Sequence, residues 1–331
     1  MTFKQSLLWP FALLYGAAAH FRARAYACGL FRQRRLDGLV ISVGNLTTGG
    51  TGKTPMVLWL AEHLLAEGKR PGILTRGYRG FTSAAGPSSD EAQLLAARLG
   101  DAVPIGVGAN RFTSGRALAG RGVDCFILDD GFQHLRLARD VDIVLIDATN
   151  PFGGGHLLPA GRLREPRWAL ARAHVIIITR SPHAPAIEVA VRRYSDAPIF
   201  YAAPRLDSVR TFREGSAGDE AADARSKNLF AFCGIGNPAA FLADLRAWGF
   251  RVAGRKFFPD HHRYSNEDAQ AIEAAARRAG ADALICTEKD IFNLSSAHRT
   301  SDMLFFCRTS FHPDHPDDLL RTILASAKTR R

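Results

Sequence analysis

Short apolar runs recur along the chain and are separated by amphipathic stretches. The runs at 39–44, 125–129 and 142–147 contain little polar alternation, which is typical of strands buried on both faces. Similar runs lie at 72–75, 174–179, 197–202, 228–233, 283–287 and 303–307. This pattern predicts a sheet whose strands are mostly buried.

Helical periodicity fills several of the gaps between these runs. It is clearest at 56–67 (MVLWLAEHLLAE) and 267–279, and it is also present at 90–99 and 239–248. Strands that alternate with helices indicate parallel sheets. We therefore predict an α/β fold.

A polar stretch interrupts this pattern from Pro204 to about Ala224 and holds glycine, serine and acidic residues. We place a soft domain boundary there. Residues 37–204 are expected to form the larger α/β domain, and 205–331 a smaller α/β lobe. Residues 1–36 are expected to form a separate helical segment.

The N-terminal segment combines an apolar run with a strong basic bias. No Lys, Arg, Asp or Glu occurs from Gln5 to Phe21, and residues 1–36 hold six basic residues and no acidic one. A spanning helix needs ~20 apolar residues, whereas this run is short and contains Pro10 and Gly16. A secretory signal and an ordinary packing helix are alternatives. A helix that lies in the membrane interface accounts for both the apolar run and the basic bias. Its arginines would meet anionic head groups while its apolar residues enter the acyl boundary.

The whole chain is also basic. Its net charge is +11, from 43 basic and 32 acidic residues, which indicates an anionic partner such as nucleic acid, a membrane surface or a phosphorylated substrate. The five cysteines are widely spaced and form no C-x-x-C pair. Reduced thiols are therefore expected, rather than a disulfide framework or a metal site.

Residues 43–55 (VGNLTTGGTGKTP) lie between a predicted strand and a predicted helix, the context of a phosphate-binding loop. We call this segment the P-loop. Its glycines let backbone N–H groups approach phosphate oxygens, and the helix N-terminus adds positive charge. Lys53 would reach the β- and γ-phosphates, and Thr54 would bind Mg²⁺. The predicted nucleotide-binding residues are Gly49, Gly50, Thr51, Gly52, Lys53 and Thr54. One departure from the usual pattern is Thr47, where the first glycine is expected.

A second motif is LDDGFQH at 128–134, which we call the acidic turn. It ends an apolar strand with Asp129 and Asp130. Ligands of parallel sheets bind at the carboxyl ends of strands, so one of these carboxylates would hold Mg²⁺ directly or through water. The alternative is a turn in which aspartate only caps the strand.

With these motifs the chain resembles the tetraacyldisaccharide 4'-kinases, ATP-dependent enzymes that phosphorylate the disaccharide precursor of lipid A. The resemblance covers nearly the whole chain. It rests on the P-loop, LTRGYRG (74–80), SDE (89–91), the acidic turn, PAGRLREP (159–166), FCGIGNP (232–238), FPDHHRY (258–264) and TEKD (287–290). The family loop has the form GN-x-T-x-GGTGKTP, so Thr47 fits the family pattern.

The resemblance implies a carboxylate–histidine dyad that accepts the proton of the acceptor hydroxyl. The matching positions are Asp90 and His261, with Asp130 as a further catalytic residue. A helix N-cap is the alternative for Asp90, and an ordinary loop histidine is the alternative for His261. His262 lies next to His261 and leaves the choice of ring open.

The resemblance also implies metal and substrate residues. Thr54, Asp129 and Glu165 are the predicted Mg²⁺ ligands, although the sequence does not separate the roles of Asp129 and Asp130. Arginine binds phosphate through a bidentate fork. The alternative interpretation of each candidate arginine is an ordinary surface charge. The predicted substrate-binding residues are Asn45, Arg76, Arg79, Gln133 and His134.

The implied reaction is transfer of the γ-phosphate of ATP to the 4'-hydroxyl of tetraacyldisaccharide 1-phosphate in lipid A biosynthesis. We expect ATP and Mg²⁺ as cofactors, 37–204 as a P-loop NTPase-like kinase domain, and the 205–331 lobe as a contributor to the active-site cleft. The expected partners are the acylated disaccharide phosphate and an anionic membrane surface, with no nucleic acid, and we expect a monomer. The expected location is the cytoplasmic face of a bacterial inner membrane, with peripheral or monotopic attachment.

Two other classes of function are compatible with a P-loop. A switch GTPase or ATPase, or a metal chaperone, would hydrolyse nucleotide without lipid. A nucleic-acid-binding ATPase would use the net positive charge, but no nucleic-acid module and no interleaving of aromatic and basic residues is present. The G-x-G-x-x-A match at 234–239 is a weak dinucleotide signal, and we interpret it as a structural turn.

Overall fold

The computed structural model describes residues 3–77, 89–212, 220–221, 223–294 and 304–328. The chain divides into two compact units. Unit 1 comprises Met1–Pro204 and Phe311–Arg331, and unit 2 comprises Arg205–Ser310. Both units contain parallel strands and helices, so the predicted α/β class is confirmed.

The strands are β1 (Leu39–Asn45), β2 (Pro71–Thr75), β3 (Ile105–Val107), β4 (Cys125–Asp129), β5 (Val141–Asp147), β6 (Val175–Thr179), β7 (Ile199–Thr211), β8 (Asn228–Cys233), β9 (Arg251–Phe257), β10 (Ala283–Thr287) and β11 (Leu304–Pro313). Within unit 1 the order is β3-β2-β4-β1-β5-β6-β7, with parallel pairing. Within unit 2 the order is β11-β10-β8-β9, again with parallel pairing.

The helices are α1 (Phe3–Ala27), α2 (Lys53–Ala66), α3 (Asp90–Leu99), α4 (Arg111–Ala119), α5 (Pro185–Arg192), α6 (Pro238–Ala247), α7 (Asn266–Arg278) and α8 (Pro316–Lys328). Helix α2 begins three residues before the predicted start at 56. Gly52 is its N-cap, and Pro55 is tolerated in the first turn because the N–H it lacks would have no helical partner there.

The position of β1 in the sheet sets the position of the P-loop. β1 lies between β4 and β5, and Val43 is in register with Asp129. Parallel strands place their carboxyl ends at the same edge. The P-loop and the acidic turn therefore leave the sheet side by side.

The C-terminal helix belongs to unit 1, although residues 311–331 were expected in the smaller lobe. Helix α8 packs against β5 and buries Leu319 and Ile323. The N–H of Asp314 also donates to the carbonyl of Tyr201, at 3.1 Å. The sequence could not show this assignment, because an apolar i, i+4 stripe fits either sheet.

The polar stretch after Pro204 begins as a strand rather than as a linker. β7 continues through it to Thr211, with burial that alternates along its middle part. Polar residues on the exposed positions of a half-buried strand lower its apolar content, which explains why its second half was not predicted. β3, β9, α4, α5 and α8 were also not predicted.

Helix α1 rests on unit 1 along a narrow stripe of small residues that includes Ala12 and Gly16. The Tyr15 hydroxyl donates to the carbonyl of Arg164 at 3.0 Å, and the His20 ring contacts the edge of Trp168. Its large apolar side chains are mostly exposed, namely Leu7, Trp9, Phe11, Leu13, Leu14, Tyr15 and Phe21. Within the described parts of the chain, no helix combines the length and the hydropathy needed to cross a membrane.

Candidate active site

The glycines of the P-loop adopt conformations that disfavour side chains. Gly49 has φ 126° and Gly52 has φ 89°, in the left-handed region where a β-carbon is strained. Gly52 directly precedes Lys53 and has no side chain to occupy the first N–H groups of α2. The loop therefore presents an open helix N-terminus, which favours an anion.

Asn45, at the end of β1, contacts the P-loop through its side chain. It is fully buried, its amide donates to the Thr51 hydroxyl at 3.0 Å, and its side-chain oxygen accepts from the Lys53 ammonium at 3.4 Å. These contacts connect Asn45 to the P-loop, and its predicted contact with the substrate stays a prediction.

The PAGRLREP segment (159–166) holds the other side of the P-loop. The N–H of Thr48 donates to the carbonyl of Arg162 at 2.8 Å, and the N–H of Arg164 donates to the carbonyl of Leu46 at 2.7 Å. Thr47 lies between these bonds and pairs antiparallel with Leu163. Extended backbone suits any residue, so Thr47 is compatible with this loop.

Asp130 is held between two cations. Its oxygens lie 3.4 Å from the ammonium of Lys53 and 2.6 Å from the guanidinium of Arg164. Burial alone would raise the pKa of Asp130, but these two charges outweigh it and hold the pKa at about 2. Asp130 therefore stays ionised and orders both cations beside the P-loop.

Asp129 has the opposite environment. Its side chain is buried, and its Oδ2 has no hydrogen-bond partner among the described residues. Burial and the charges of Glu91 and Asp130 raise its pKa to about 7. A buried carboxylate oxygen without a donor is costly unless it binds a cation. Asp130 is already paired with two cations, so Asp129 fits a Mg²⁺ ligand better than Asp130 does.

No group of three or more His, Cys, Asp or Glu residues forms a ready-made metal cage in the described parts of the chain. This finding does not conflict with Mg²⁺, because that ion usually keeps several waters and binds through one or two carboxylates and the phosphates of its substrate.

Arg111 was not predicted and lies next to the acidic turn. It begins α4, is buried, and donates from Nη1 to the carbonyls of Gly108 and Ala109 at 3.2 and 3.4 Å. Burial lowers the pKa of its guanidinium, and the charge of Asp129 opposes that shift. A lone arginine outside any motif gave no signal in the sequence.

The structure places a different residue at the N-cap that was considered for Asp90. The Ser89 hydroxyl accepts from the N–H of Ala92 and caps α3, while Asp90 is the first helical residue and is buried. Asp90 accepts from the N–H of Glu91 at 2.9 Å.

Two predicted substrate-binding arginines follow β2. Arg76 is exposed, and Arg79 lies outside the described residues.

Glu165 and Gln133 complete the surroundings of the P-loop. Glu165 is buried and accepts from Arg172 at 2.8 Å. Gln133 donates to the carbonyl of Asn45 at 3.0 Å, and its buried side-chain oxygen has no partner in the described ranges. Both side chains are therefore anchored at one end.

The two neighbouring histidines of unit 2 have different surroundings. His262 binds Asp268 at 2.9 Å and stacks on Phe258 with ring centroids 4.6 Å apart. His261 has a left-handed backbone, with φ 59°, and its Nε2 lies 3.4 Å from the Lys289 ammonium. His262 is thus held by a carboxylate and an aromatic ring of unit 2, and the catalytic role of His261 stays a prediction.

Asp290 of the TEKD motif anchors the loop that carries His261. It is buried and accepts from the N–H of Gly234 at 2.8 Å and from the Tyr264 hydroxyl at 2.7 Å. His261 in turn donates its N–H to the carbonyl of Gly234 at 3.0 Å. The FCGIGNP, FPDHHRY and TEKD motifs therefore form one connected structure.

Known proteins show extensive similarity to this chain. The sequence model of the family described as Tetraacyldisaccharide-1-P 4'-kinase matches residues 4–328. A tetraacyldisaccharide 4'-kinase of Geobacter metallireducens is 42% identical over 307 residues, which cover 87% of this chain and 88% of that protein. One of Desulfotalea psychrophila is 35% identical over 339 residues, 96% of each chain.

A solved structure has the same architecture. The crystal structure of the "apo" form of LpxK from Aquifex aeolicus in complex with ATP superimposes with a TM-score of 0.73 and 29% identity, and the match covers 97% of this chain and 99% of that chain. This likeness confirms the predicted P-loop NTPase-like fold with an N-terminal helix. The chain belongs to the tetraacyldisaccharide-1-P 4'-kinase family, whose members are ATP-dependent kinases that transfer a phosphate group to a hydroxyl group.

Proposed function

We propose that this chain transfers the γ-phosphate of ATP to the 4'-hydroxyl of tetraacyldisaccharide 1-phosphate at the P-loop of unit 1. The observation that carries the proposal is the charge arrangement there. Lys53 and Arg164 converge on Asp130, while the neighbouring Asp129 keeps an oxygen without a described partner. Phosphoryl transfer depends on this kind of prearranged charge.

Thr54 and Asp129 would hold Mg²⁺, with Glu165 as a further carboxylate candidate. When bound, the ion would neutralise charge on the β- and γ-phosphates. Lys53 and Arg164, which contact Asp130 in this structure, would bind phosphate oxygens of ATP. Asp130 acts through them, since it keeps both cations at the loop before ATP arrives.

Asp90 and His261 are the proposed residues for accepting the proton of the acceptor hydroxyl. Asp90 is buried at the start of α3. The Lys289 ammonium lies 3.4 Å from Nε2 of His261, and the Asp260 carboxylate lies 3.9 Å from the same nitrogen. A double variant Asp90→Asn/His261→Gln should lose no more activity than the more severe single variant, because residues that act as a unit are not additive.

The proposed location is the cytoplasmic face of a bacterial inner membrane, with α1 lying in the interface. The exposed apolar side chains of α1 and the arginines that follow it support this proposal. An enzyme attached in this way can meet a multi-acyl acceptor without extracting it from the bilayer. We further propose that the chain acts as a monomer and binds no nucleic acid.

The test is transfer of labelled γ-phosphate from ATP to purified tetraacyldisaccharide 1-phosphate in detergent micelles. We expect labelled lipid with the wild type and with Lys69→Ala, which removes an exposed lysine of unit 1. Lys53→Ala and Asp90→Ala should reduce the rate by about 10²-fold or more. ATP hydrolysis without labelled lipid would contradict the proposal and favour a switch ATPase.

A further inference from the structure

The buried carboxylate of Asp290 lies at the edge of the unit 2 sheet where strand ends meet. Its side chain is 1% exposed, and it follows the last residue of β10 by three positions. Ligands of parallel sheets bind at the carboxyl ends of the strands. Asp290 therefore connects the core of unit 2 with the edge at which chemistry is expected.

Four donors occupy the two oxygens of Asp290. One oxygen accepts from the N–H of Gly234 at 2.8 Å and from the Tyr264 hydroxyl at 2.7 Å. The other accepts from the N–H of Thr287 at 3.2 Å and from the hydroxyl of the same residue at 2.6 Å. Burial raises the pKa of the Asp290 carboxyl, and these four hydrogen bonds oppose the rise. No Lys or Arg of the described ranges forms an ion pair with Asp290, so hydrogen bonds take the place of a counterion.

Two of these donors belong to the surroundings of residues 258–264, which we call the histidine loop. The N–H of His261 donates to the carbonyl of Gly234 at 3.0 Å. Tyr264 is the last residue of the loop and is buried. Because Asp290 binds both Gly234 and Tyr264, it fixes the histidine loop at its middle and at its end.

The backbone of His261 needs this support. Its φ of 59° lies in the left-handed region, which few residues other than glycine adopt and which persists only where the surroundings fix it. Gly234 leaves no space between the loop and β8, since a β-carbon there would lie 3.0 Å from that of His262 and 3.0 Å from the carbonyl oxygen of Pro259. The histidine loop thus packs directly on the residue that Asp290 holds.

The TEKD motif also contacts the His261 ring. Lys289 directly precedes Asp290, and its ammonium lies 3.4 Å from Nε2 of His261 and 3.4 Å from the carboxylate of Asp260. Asp290 begins the short helical turn Asp290–Asn293, so its bonds fix the backbone from which the Lys289 side chain extends. Both the backbone and the ring of His261 therefore have contacts that depend on the Asp290 carboxylate.

We propose that Asp290 is a positioning residue for phosphate transfer, because it holds the histidine loop in the conformation in which His261 accepts the proton of the acceptor hydroxyl. This inference rests on the proposed function of His261. Asp290 is buried and its oxygens are occupied, so it acts through the loop and not by contact with the substrate. Displacement of a reacting group by about 1 Å can cost about 10²-fold in rate.

The test measures phosphate transfer by Asp290→Asn in the wild-type chain and in a His261→Gln background. An amide has one acceptor oxygen instead of two, so it cannot satisfy all four donors. In the wild-type chain we expect kcat to fall by roughly 10- to 100-fold, with KM for ATP and for the lipid unchanged. In the His261→Gln background the same substitution should change kcat by less than about twofold, because residues that act as a unit are not additive.

The matched control is Asp282→Asn, at the other end of β10. Asp282 is exposed, and its carboxylate accepts from the N–H of Asn228 at 2.7 Å, so it too binds a backbone group of unit 2. This control should leave kcat unchanged in both backgrounds. Tyr264→Phe removes one donor and keeps the aromatic ring, so it should lower kcat less than Asp290→Asn does, and it tests the inference even if Asp290→Asn does not fold.

A second measurement requires no catalysis. In ¹H–¹³C NMR spectra of the histidine rings, with the His261 signals identified by their loss in His261→Gln, Asp290→Asn and Tyr264→Phe should shift these signals and Asp282→Asn should not. Unchanged His261 signals in the first two variants would overturn the inference. An equal loss of kcat in both backgrounds would also overturn it, because Asp290 would then only stabilise unit 2. Absence of kinase activity in the wild type would instead contradict the proposed function.

Discussion

At the scale of single residues, the P-loop depends on backbone conformations that the sequence indicated only by its glycines. Gly52 has φ 89°, yet a β-carbon there would meet no atom closer than 3.9 Å. The requirement for glycine is therefore conformational and not a matter of space.

Gly52→Ala should destabilise the protein by about 1–2 kcal/mol, because alanine is strained at positive φ. It should also weaken ATP binding, since the loop would relax away from its N–H geometry. Gly68→Ala is the matched control, because Gly68 has φ 73°, open space around it and a position in the turn after α2. Both variants should lower the melting temperature, but ATP titration by calorimetry should detect weaker binding only for Gly52→Ala. Equal loss of ATP affinity in both would contradict this reading of the loop.

His134 provides a residue-scale prediction about pH. Its folded-state pKa of about 4 lies below the ordinary 6.5, so the folded state favours the neutral ring. The resulting stability is fully present above pH 6.5 and is lost as the pH falls towards 4. His134→Gln should therefore lose less melting temperature than the wild type between pH 7.5 and pH 5. Parallel melting curves over this range would show that His134 is not held neutral by its surroundings.

Some candidate site residues could be predicted from the sequence and others could not. Lys53, Asp129 and Asp130 were predicted because they belong to motifs with a mechanism, and their roles stay predictions. Arg111 was not predicted because a single arginine in NRF carries no pattern, and only the structure shows that it is buried beside Asp129. The choice between His261 and His262 stays a prediction, although the structure shows that the two adjacent rings have different contacts.

At the scale of elements, long and apolar segments were predictable, whereas short or half-exposed ones were not. β1 and β5 follow their apolar runs closely. β3 has three residues, and β9 (RVAGRKF) alternates exposed and partly buried positions next to β8 alone. Such segments carry too few buried side chains for a hydrophobic pattern to reveal them.

Helix α1 gives the element-scale prediction. Leu7 and Leu14 are 69% and 70% exposed, so Leu7→Gln/Leu14→Gln should leave the melting temperature unchanged. Loss of two apolar side chains from a membrane contact should lower vesicle binding by roughly 10- to 100-fold. Cosedimentation with phosphatidylglycerol vesicles measures this change.

The control for this measurement is Val189→Gln, which changes an exposed apolar residue of α5 in the same unit. It should sediment with vesicles like the wild type. Unchanged sedimentation of the α1 variant would exclude these side chains from membrane contact and would favour an ordinary packing helix.

At the scale of the whole molecule, the chain does not divide into one N-terminal and one C-terminal half. The sequence predicted a soft boundary near Pro204. The first segment of unit 1 ends at Pro204, but unit 1 also contains Phe311–Arg331. Its last helix buries Leu319 and Ile323 against the fold of the P-loop unit. Hydrophobic periodicity predicts that a helix packs, but it does not specify the partner.

Ile323→Ala should therefore destabilise the unit that holds the P-loop by about 2–5 kcal/mol, the usual cost of emptying a core position. Hydrogen exchange should rise in β5 of unit 1 and remain unchanged in β8 of unit 2. Leu320→Ala, at a less buried position of the same helix, should have a smaller effect. An increase confined to β8 would show that α8 stabilises unit 2 instead.

The close approach between Gly44 and Phe132 has a consequence for protein engineering. A β-carbon at Gly44 would lie 2.6 Å from that of Phe132, and the N–H of Gly131 binds the carbonyl of Val43 at 3.1 Å. The PAGRLREP segment is bonded to the same loop on its other side. A graft of the P-loop alone would therefore leave its supports behind, and the smallest cassette that could be moved into another sheet contains all three segments.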